Sequence, residues 1–177
     1  YTTSKLETVD ADGHPVSTTH QGGIYLGVPT MGEDRPDVNA PPIPELGPTP
    51  KEPIAEIFVP VAHGAAHTYT ESARIWNPIH TDASVANAAG LPAIILHGTA
   101  TLALGVSAVV DTVADGNPEL VRRIRGRMAS MVLMPSTISV KVIDSTTVDG
   151  QDIVRFQVLT DEGGPAIDQG LVFLDRS

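Results

Sequence analysis

The stretch that decides the fold runs from Thr68 to Asp111: TYTESARIWNPIHTDASVANAAGLPAIILHGTATLALGVSAVVD. Two kinds of sequence meet in it. The first part is polar and carries Asn77-Pro78-Ile79-His80-Thr81-Asp82. From Gly98 onward the residues are almost all apolar or small, until Asp115-Gly116-Asn117-Pro118 supplies a stop. The second part predicts a helix over residues 98–114. A helix with no polar face is expected to be buried. The rest of the chain should therefore wrap one central helix, with a His-bearing loop just ahead of it.

Downstream, residues 124–134, 136–145, 153–161 and 166–175 are rich in Val and Ile. They are punctuated by Pro135, Asp149-Gly150 and Glu162-Gly163-Gly164, as antiparallel meanders are. A short helical piece fits residues 118–122. Upstream, residues 54–61 read as a strand, and residues 63–72 as a strand-to-loop transition. His63 and His67 are spaced i, i+4, but Gly64 lies between them and no third ligand is near, so no metal is expected. Thr81 or Asp82 should cap a short helix over residues 83–89, ended by Gly90 and Pro92. One long helix followed by sequential strands makes an α+β domain whose sheet curls over the helix.

Residues 31–53 are rich in Pro and predict an extended linker. Residues 1–30 predict a β-hairpin turning at Asp12-Gly13. That hairpin echoes the C-terminal one: LETVDADGHPVSTTHQGGIYLG (residues 6–27) resembles FQVLTDEGGPAIDQGLVFL (residues 156–174). The echo points to two copies of one unit, with residues 1–30 the remnant of a preceding copy. The domain itself is then residues 54–177.

Composition narrows the function. A chain of 177 residues is long enough for one domain and a real core. The net charge of −10 and pI near 4.8 argue against nucleic acid or an anionic membrane as partner. With no cysteine there is neither a disulfide nor a thiolate site. No apolar run reaches the ~20 residues of a membrane span, and YTTSKLETVD is not a signal peptide. A cytoplasmic location is the expectation.

Tyr69, Ser72, Trp76-Asn77-Pro78-Ile79-His80-Thr81-Asp82, Ala86, Ala89-Gly90-Leu91 and Ile95-Leu96-His97-Gly98-Thr99 stand in a telling order. The stretch resembles the MaoC-like, or hydratase-2, group of (R)-specific enoyl-CoA hydratases and dehydratases. Their motif is roughly Y-x-x-S-G-D-x-N-P-[LI]-H-x-D, then A-x-x-A-G-[LF], then [IL]-[LI]-H-G-x-x-T. The resemblance implies a hot-dog fold, a curved antiparallel sheet around one helix. It also implies pairing, as a homodimer or with a second hot-dog half in a double hot dog. The implied reaction is reversible hydration of a 2-enoyl thioester, carried on coenzyme A or an acyl carrier, with no metal or redox cofactor. One position departs from the pattern. The family's catalytic Asp lies five residues before its His, and here that residue is Ile75, with one extra residue between the Tyr and the His.

Water addition needs a base for water, a proton for the α-carbon and stabilisation of the enolate-like oxygen. His80 suits the proton transfers, because imidazole titrates near working pH. The helix N-terminus at Gly98 suits the oxyanion, since its N–H groups and dipole favour negative charge and Gly admits close approach. Asn77 shapes the loop or orients the catalytic pair, and Asp82 caps the helix that follows. Glu71 is the candidate substitute for the missing Asp. Trp76, packed over the loop, and His97 are expected on the substrate side. The alternative for His97 is a packed, hydrogen-bonded place. Arg122, Arg123, Arg125 and Arg127 form a basic cluster, in which Arg123 and Arg125 either meet coenzyme A phosphates or make a charged edge strand. Two other functions remain open: a non-catalytic or partner-dependent half that shapes a substrate tunnel, and hot-dog thioester hydrolysis.

Overall fold

The computed structural model describes residues 2–25, 27–35 and 40–176. They fall into two units, residues 1–45 and 46–177.

In the first unit, β1 (Thr2–Val9) and β2 (Pro15–Gly23) pair as an antiparallel hairpin. Its turn closes with Asp10 N–H donating to the His14 carbonyl at 3.0 Å and Gly13 N–H to the Asp10 carbonyl at 3.1 Å.

The second unit contains β3 (Ala55–Val61), α1 (Ala65–Ala73), a 3-10 turn at Pro78–His80, α2 (Ala83–Ala88) and α3 (Gly98–Val113). A second 3-10 turn at Pro118–Leu120 leads into β4 (Val121–Met128), β5 (Ser136–Val148), β6 (Gln151–Leu159) and β7 (Pro165–Leu174). The strands form one antiparallel sheet in the order β3-β5-β6-β7-β4.

Alternation along the strands makes the core. Ile138, Val140 and Val142 on β5, and Val154, Phe156 and Val158 on β6, are fully buried and share one sheet face. α3 lies on that face with Ala100, Gly105, Ala108, Val109 and Val110 inward. Gly105 permits close approach: a Cβ there would lie 2.7 Å from Phe156 Cε2 and 2.9 Å from Val158 Cγ2. The opposite sheet face carries a smaller cluster of Ile153, Leu171 and Phe173, which Leu46 and Val148 help cover. Residues 46–49 are tied there by Arg155, which pairs with Asp144 and donates to the Gly47 and Pro48 carbonyls at 2.8 and 3.1 Å. The β5–β6 turn uses Asp149 and Gly150, both at positive φ (50° and 81°), as a tight two-residue hairpin connection demands.

Four expectations change. Residues 63–72 are not a strand-to-loop transition, because Ala65–Ala73 is helical. Gly64 stands at the cap, where it does not break the helix, and Ala66 and Thr70, one turn apart, pack inward. The strand expected over 124–134 instead spans Val121–Met128, since Val121 and Arg123 already face Leu174 and Phe173 on β7. The strands are not a simple meander either. β5-β6-β7 is one, but β4 sits at the far edge beside β7. Residues 129–135 cross back ahead of α3, where Leu96 N–H donates to the Val132 carbonyl at 2.8 Å. Finally, α3 is buried on one side only. Ala103, Ser107 and Asp111 form an exposed stripe, because the sheet covers a single face of the helix. No helix among the described residues is long and apolar enough to cross a membrane.

Candidate active site

Short polar connections build the site. Asn77 is extended (φ −109°, ψ 115°), and its side-chain oxygen accepts from Ile79 N–H at 3.4 Å. Pro78 then fixes φ at the first position of the 3-10 turn. Asn77 therefore shapes the loop and makes no hydrogen bond to an imidazole. The turn delivers His80 into the protein at 9% exposure. Asp82 follows at once and caps α2, accepting from Ser84 N–H at 2.7 Å and Val85 N–H at 3.2 Å.

The tautomer of His80 is set by its partner. Its Nδ1 is 2.8 Å from the Ile95 carbonyl, and a carbonyl only accepts, so Nδ1 carries the proton. Nε2 then holds a lone pair. It has no partner among the described residues, yet it is not among the fully buried unpaired atoms, so it reaches the surface.

His97 lies against this ring. The two imidazoles stack with centroids 3.6 Å apart and planes 23° apart, and Tyr69 touches His97 at 5.0 Å. His97 is only 2% exposed. Its Nε2 is 3.3 Å from both the Thr70 hydroxyl and the Ile75 carbonyl. Burial, with the neighbouring His80 second, lowers its proton affinity below the ordinary imidazole value, while the Ile75 hydrogen bond opposes this. The expectation of His97 on the substrate side gives way to its alternative: it is a packed, hydrogen-bonded residue, because the start of α3 is enclosed by α1 and the loop after it.

The departure at Ile75 has a local cause. α1 ends on Arg74 in the left-handed region (φ 56°), and Ile75 N–H bonds back to the Thr70 carbonyl at 3.2 Å. This closing turn aims the Ile75 carbonyl at His97 and leaves the side chain 40% exposed. Among the described residues no carboxylate hydrogen-bonds His80.

Glu71 and Trp76 share a cleft of about 350 Å³ with His67, Thr70, Pro78 and Thr81. Glu71 is the only carboxylate lining it, and Thr70 connects its floor to His97. Trp76 is exposed on the cleft wall, not packed over the loop as expected, since nothing in this unit covers that side.

Gly98 begins α3, and a Cβ there would run into Met128 Sδ. His97 precedes it as the cap but makes no side-chain capping bond, so the first-turn N–H groups of α3 are not taken by a side chain as those of α2 are. Arg123 and Arg125 lie elsewhere. Arg123 sits 4.6 Å over the Phe173 ring, and Arg125 reaches Gln169 at 3.3 Å. Phe173 belongs to the sheet face away from α3, so neither arginine is brought together with His80. Two members of the site went unread in the sequence. Thr70 carries no sequence signal of its own because α1 has a weak inward pattern, and the Ile95 carbonyl carries none because no side-chain pattern marks a backbone acceptor.

A five-stranded antiparallel sheet with one long helix on its face is the hot-dog arrangement. The chain belongs to the MaoC like domain family, which it matches over residues 46–162. It is 30% identical over 135 residues to the peroxisomal multifunctional enzyme type 2 of Drosophila melanogaster, covering 76% of this chain and 22% of that protein. The structure of that full-length enzyme superposes with a TM-score of 0.73 at 27% identity, over 97% of this chain and 30% of that one. To the peroxisomal enoyl-CoA hydratase 2 of Arabidopsis thaliana it is 38% identical over 63 residues, 36% of this chain and 20% of that protein. A MaoC-like dehydratase from Phytophthora capsici shares the fold, with a TM-score of 0.78 at 23% identity over 98% of this chain and 56% of that one. The chain thus spans about a fifth of the length of these two curated relatives.

Proposed function

We propose that this chain adds and removes water reversibly at a 2-enoyl thioester, with His80 as the acid/base. The observation that carries this reading is the state of His80. Its tautomer is fixed by Ile95, its Nε2 is open, and it is stacked on His97, the residue that caps α3. As the water oxygen bonds to the β-carbon, Nε2 takes its proton. The electrons of the carbon–carbon double bond move to the α-carbon and the thioester oxygen, where the first-turn N–H groups from Gly98 onward stabilise the charge. The imidazolium keeps its Nδ1–H bond to Ile95 and returns the proton to the α-carbon. No metal or redox cofactor enters the scheme. On this reading Glu71 is the assisting carboxylate and Trp76 the apolar wall for the acyl group, which their shared lining of the cleft supports. The test is hydration of crotonyl-CoA by the purified chain, followed as loss of enoyl absorbance. Free-thiol detection runs in parallel, because thiol release in place of hydration would mean thioester hydrolysis.

A second reading has its own support. The position of the family's Asp is Ile75, and among the described residues no carboxylate bonds His80. On this reading the chain shapes the tunnel for a second hot-dog half, which supplies the missing acid. Activity of the isolated chain would sink it. Pairing itself is proposed in either case. α3 leaves an apolar groove of about 530 Å³ beside the edge strand β4, lined by Leu102, Val106, Val110 and Ile124 among others. The hairpin of residues 2–23 is proposed as the closing hairpin of a preceding hot-dog unit. Its turn repeats that of β6–β7: Thr160 N–H donates to the Gly164 carbonyl at 2.8 Å and Gly163 N–H to the Thr160 carbonyl at 2.9 Å. Gly13 and Gly163 hold matching φ of 85° and 82°, and Val9 faces Pro15 as Leu159 faces Pro165.

A further inference from the structure

Among the described residues, one buried side-chain nitrogen has no hydrogen-bond partner: His97 Nδ1. The opposite ring nitrogen explains its state. Nε2 sits 3.3 Å from the Ile75 carbonyl, which only accepts, so Nε2 carries the single proton of a neutral ring and Nδ1 holds a bare lone pair. A second proton on the buried Nδ1 would have no acceptor among the described residues. The face of this ring lies 3.6 Å from His80. His80 is held at its edge as well, by Ile95, two residues before His97 on the same connection. The edge bond fixes where the Nε2 lone pair points within the ring plane, and the stack fixes the plane.

We propose that His97 is a positioning residue: a neutral imidazole, anchored by the Ile75 carbonyl and the Thr70 hydroxyl, that holds the plane of His80 and keeps an uncharged face against it. The Ile75 loop thereby acquires a role without a carboxylate. Its backbone carbonyl, not its side chain, reaches the catalytic histidine, and it does so through His97. A charged His97 would oppose proton uptake by His80 at this distance. The other titratable groups on the elements packed around His80 are Tyr69, His67 and Glu71 on α1 and Asp82 at the start of α2. None of them hydrogen-bonds its ring.

The test has one readout independent of activity, because the kinetic arm rests on the hydratase reading. The Cε1–H resonance of His80 is titrated by NMR in the wild type, His97→Gln and His97→Phe. In parallel, kcat and KM for crotonyl-CoA are measured across pH. Gln keeps a donor for Ile75 and removes the ring. It should displace the His80 midpoint and lower kcat by about tenfold to a hundredfold with KM little changed, the acid limb of the rate profile moving with the midpoint. Phe keeps a ring on His80 and should displace the midpoint less than Gln does. An unchanged His80 midpoint in a folded His97→Gln would overturn the proposal. Should the Gln variant not fold, a Phe variant whose His80 midpoint departs from the wild type by more than a few tenths of a unit overturns it equally. If the wild type does not hydrate crotonyl-CoA, the functional reading fails, and the NMR comparison still decides the role of His97.

Discussion

Gly105→Val puts the packing of α3 on the sheet to a direct test. The Cβ would stand 2.7 Å from Phe156 Cε2 and 2.9 Å from Val158 Cγ2, whereas carbon atoms pack comfortably at about 3.5–4.0 Å. The helix or its neighbours must therefore give by about 1 Å. Phe156 and Val158 are 1% and 0% exposed, so neither has free space to move into. Overpacking of this kind costs about 1–3 kcal/mol. Val is only a few tenths of a kcal/mol better than Gly as a helix former, which offsets little. The expected net loss is about 2 kcal/mol. With a urea slope of about 1–3 kcal/mol/M, the unfolding midpoint should fall by about 1 M. Ala103→Val on the exposed stripe of the same helix is the control and should cost no more than about 0.7 kcal/mol, the helix-propensity difference alone. Because α3 carries Gly98 and His97 at its start, activity should drop with the displaced helix. A Gly105→Val midpoint equal to the wild type would refute the claim that α3 rests on Phe156 through this glycine.

Other expectations follow from single contacts. Asp82→Ala removes the α2 cap and should cost about 1 kcal/mol, which Asp82→Asn restores, as chemical denaturation will show. Asp144→Ala leaves the Arg155 guanidinium without its carboxylate, bonded to the Gly47 and Pro48 carbonyls and the Thr49 hydroxyl. It should cost about 1.5–3 kcal/mol and speed proteolysis near residues 46–49. His97 in the folded chain binds its proton less readily than the ordinary 6.5. Between the two values the unfolded chain holds more protons, so stability should rise with pH through that window and fall on acidification below about 6.5. His97→Gln should flatten this dependence in denaturation curves taken at a series of pH values.

The fold was legible because its signals are local. The unbroken run from Gly98 and the Val/Ile alternation in β5, β6 and β7 define a helix on a sheet. Asp149-Gly150 and Asp82 mark a hairpin turn and a helix cap. Strand order was not legible, because the crossing of residues 129–135 is fixed by tertiary bonds such as Leu96 to Val132. α1 gives a weak signal, because its fully buried positions are Ala66 and Thr70, with Ala65 and Tyr69 half-buried beside them, too little apolar surface to outweigh Gly64. In the site, Asn77-Pro78-Ile79-His80 marked His80 as the residue to watch. The stacking of His97, the anchoring carbonyl of Ile75 and the separation of Arg123 and Arg125 from His80 depend on how distant segments meet. No spacing in the chain encodes them.

The central claim rests on the Nε2 of His80, and one measurement addresses it. Crotonyl-CoA hydration is compared between the wild type and His80→Ala, with circular dichroism confirming that both are folded. General acid–base catalysis is worth about 10²–10⁴-fold, so kcat in the variant should fall by at least about a hundredfold. Equal rates in the two folded proteins would contradict the account and remove His80 from the chemistry.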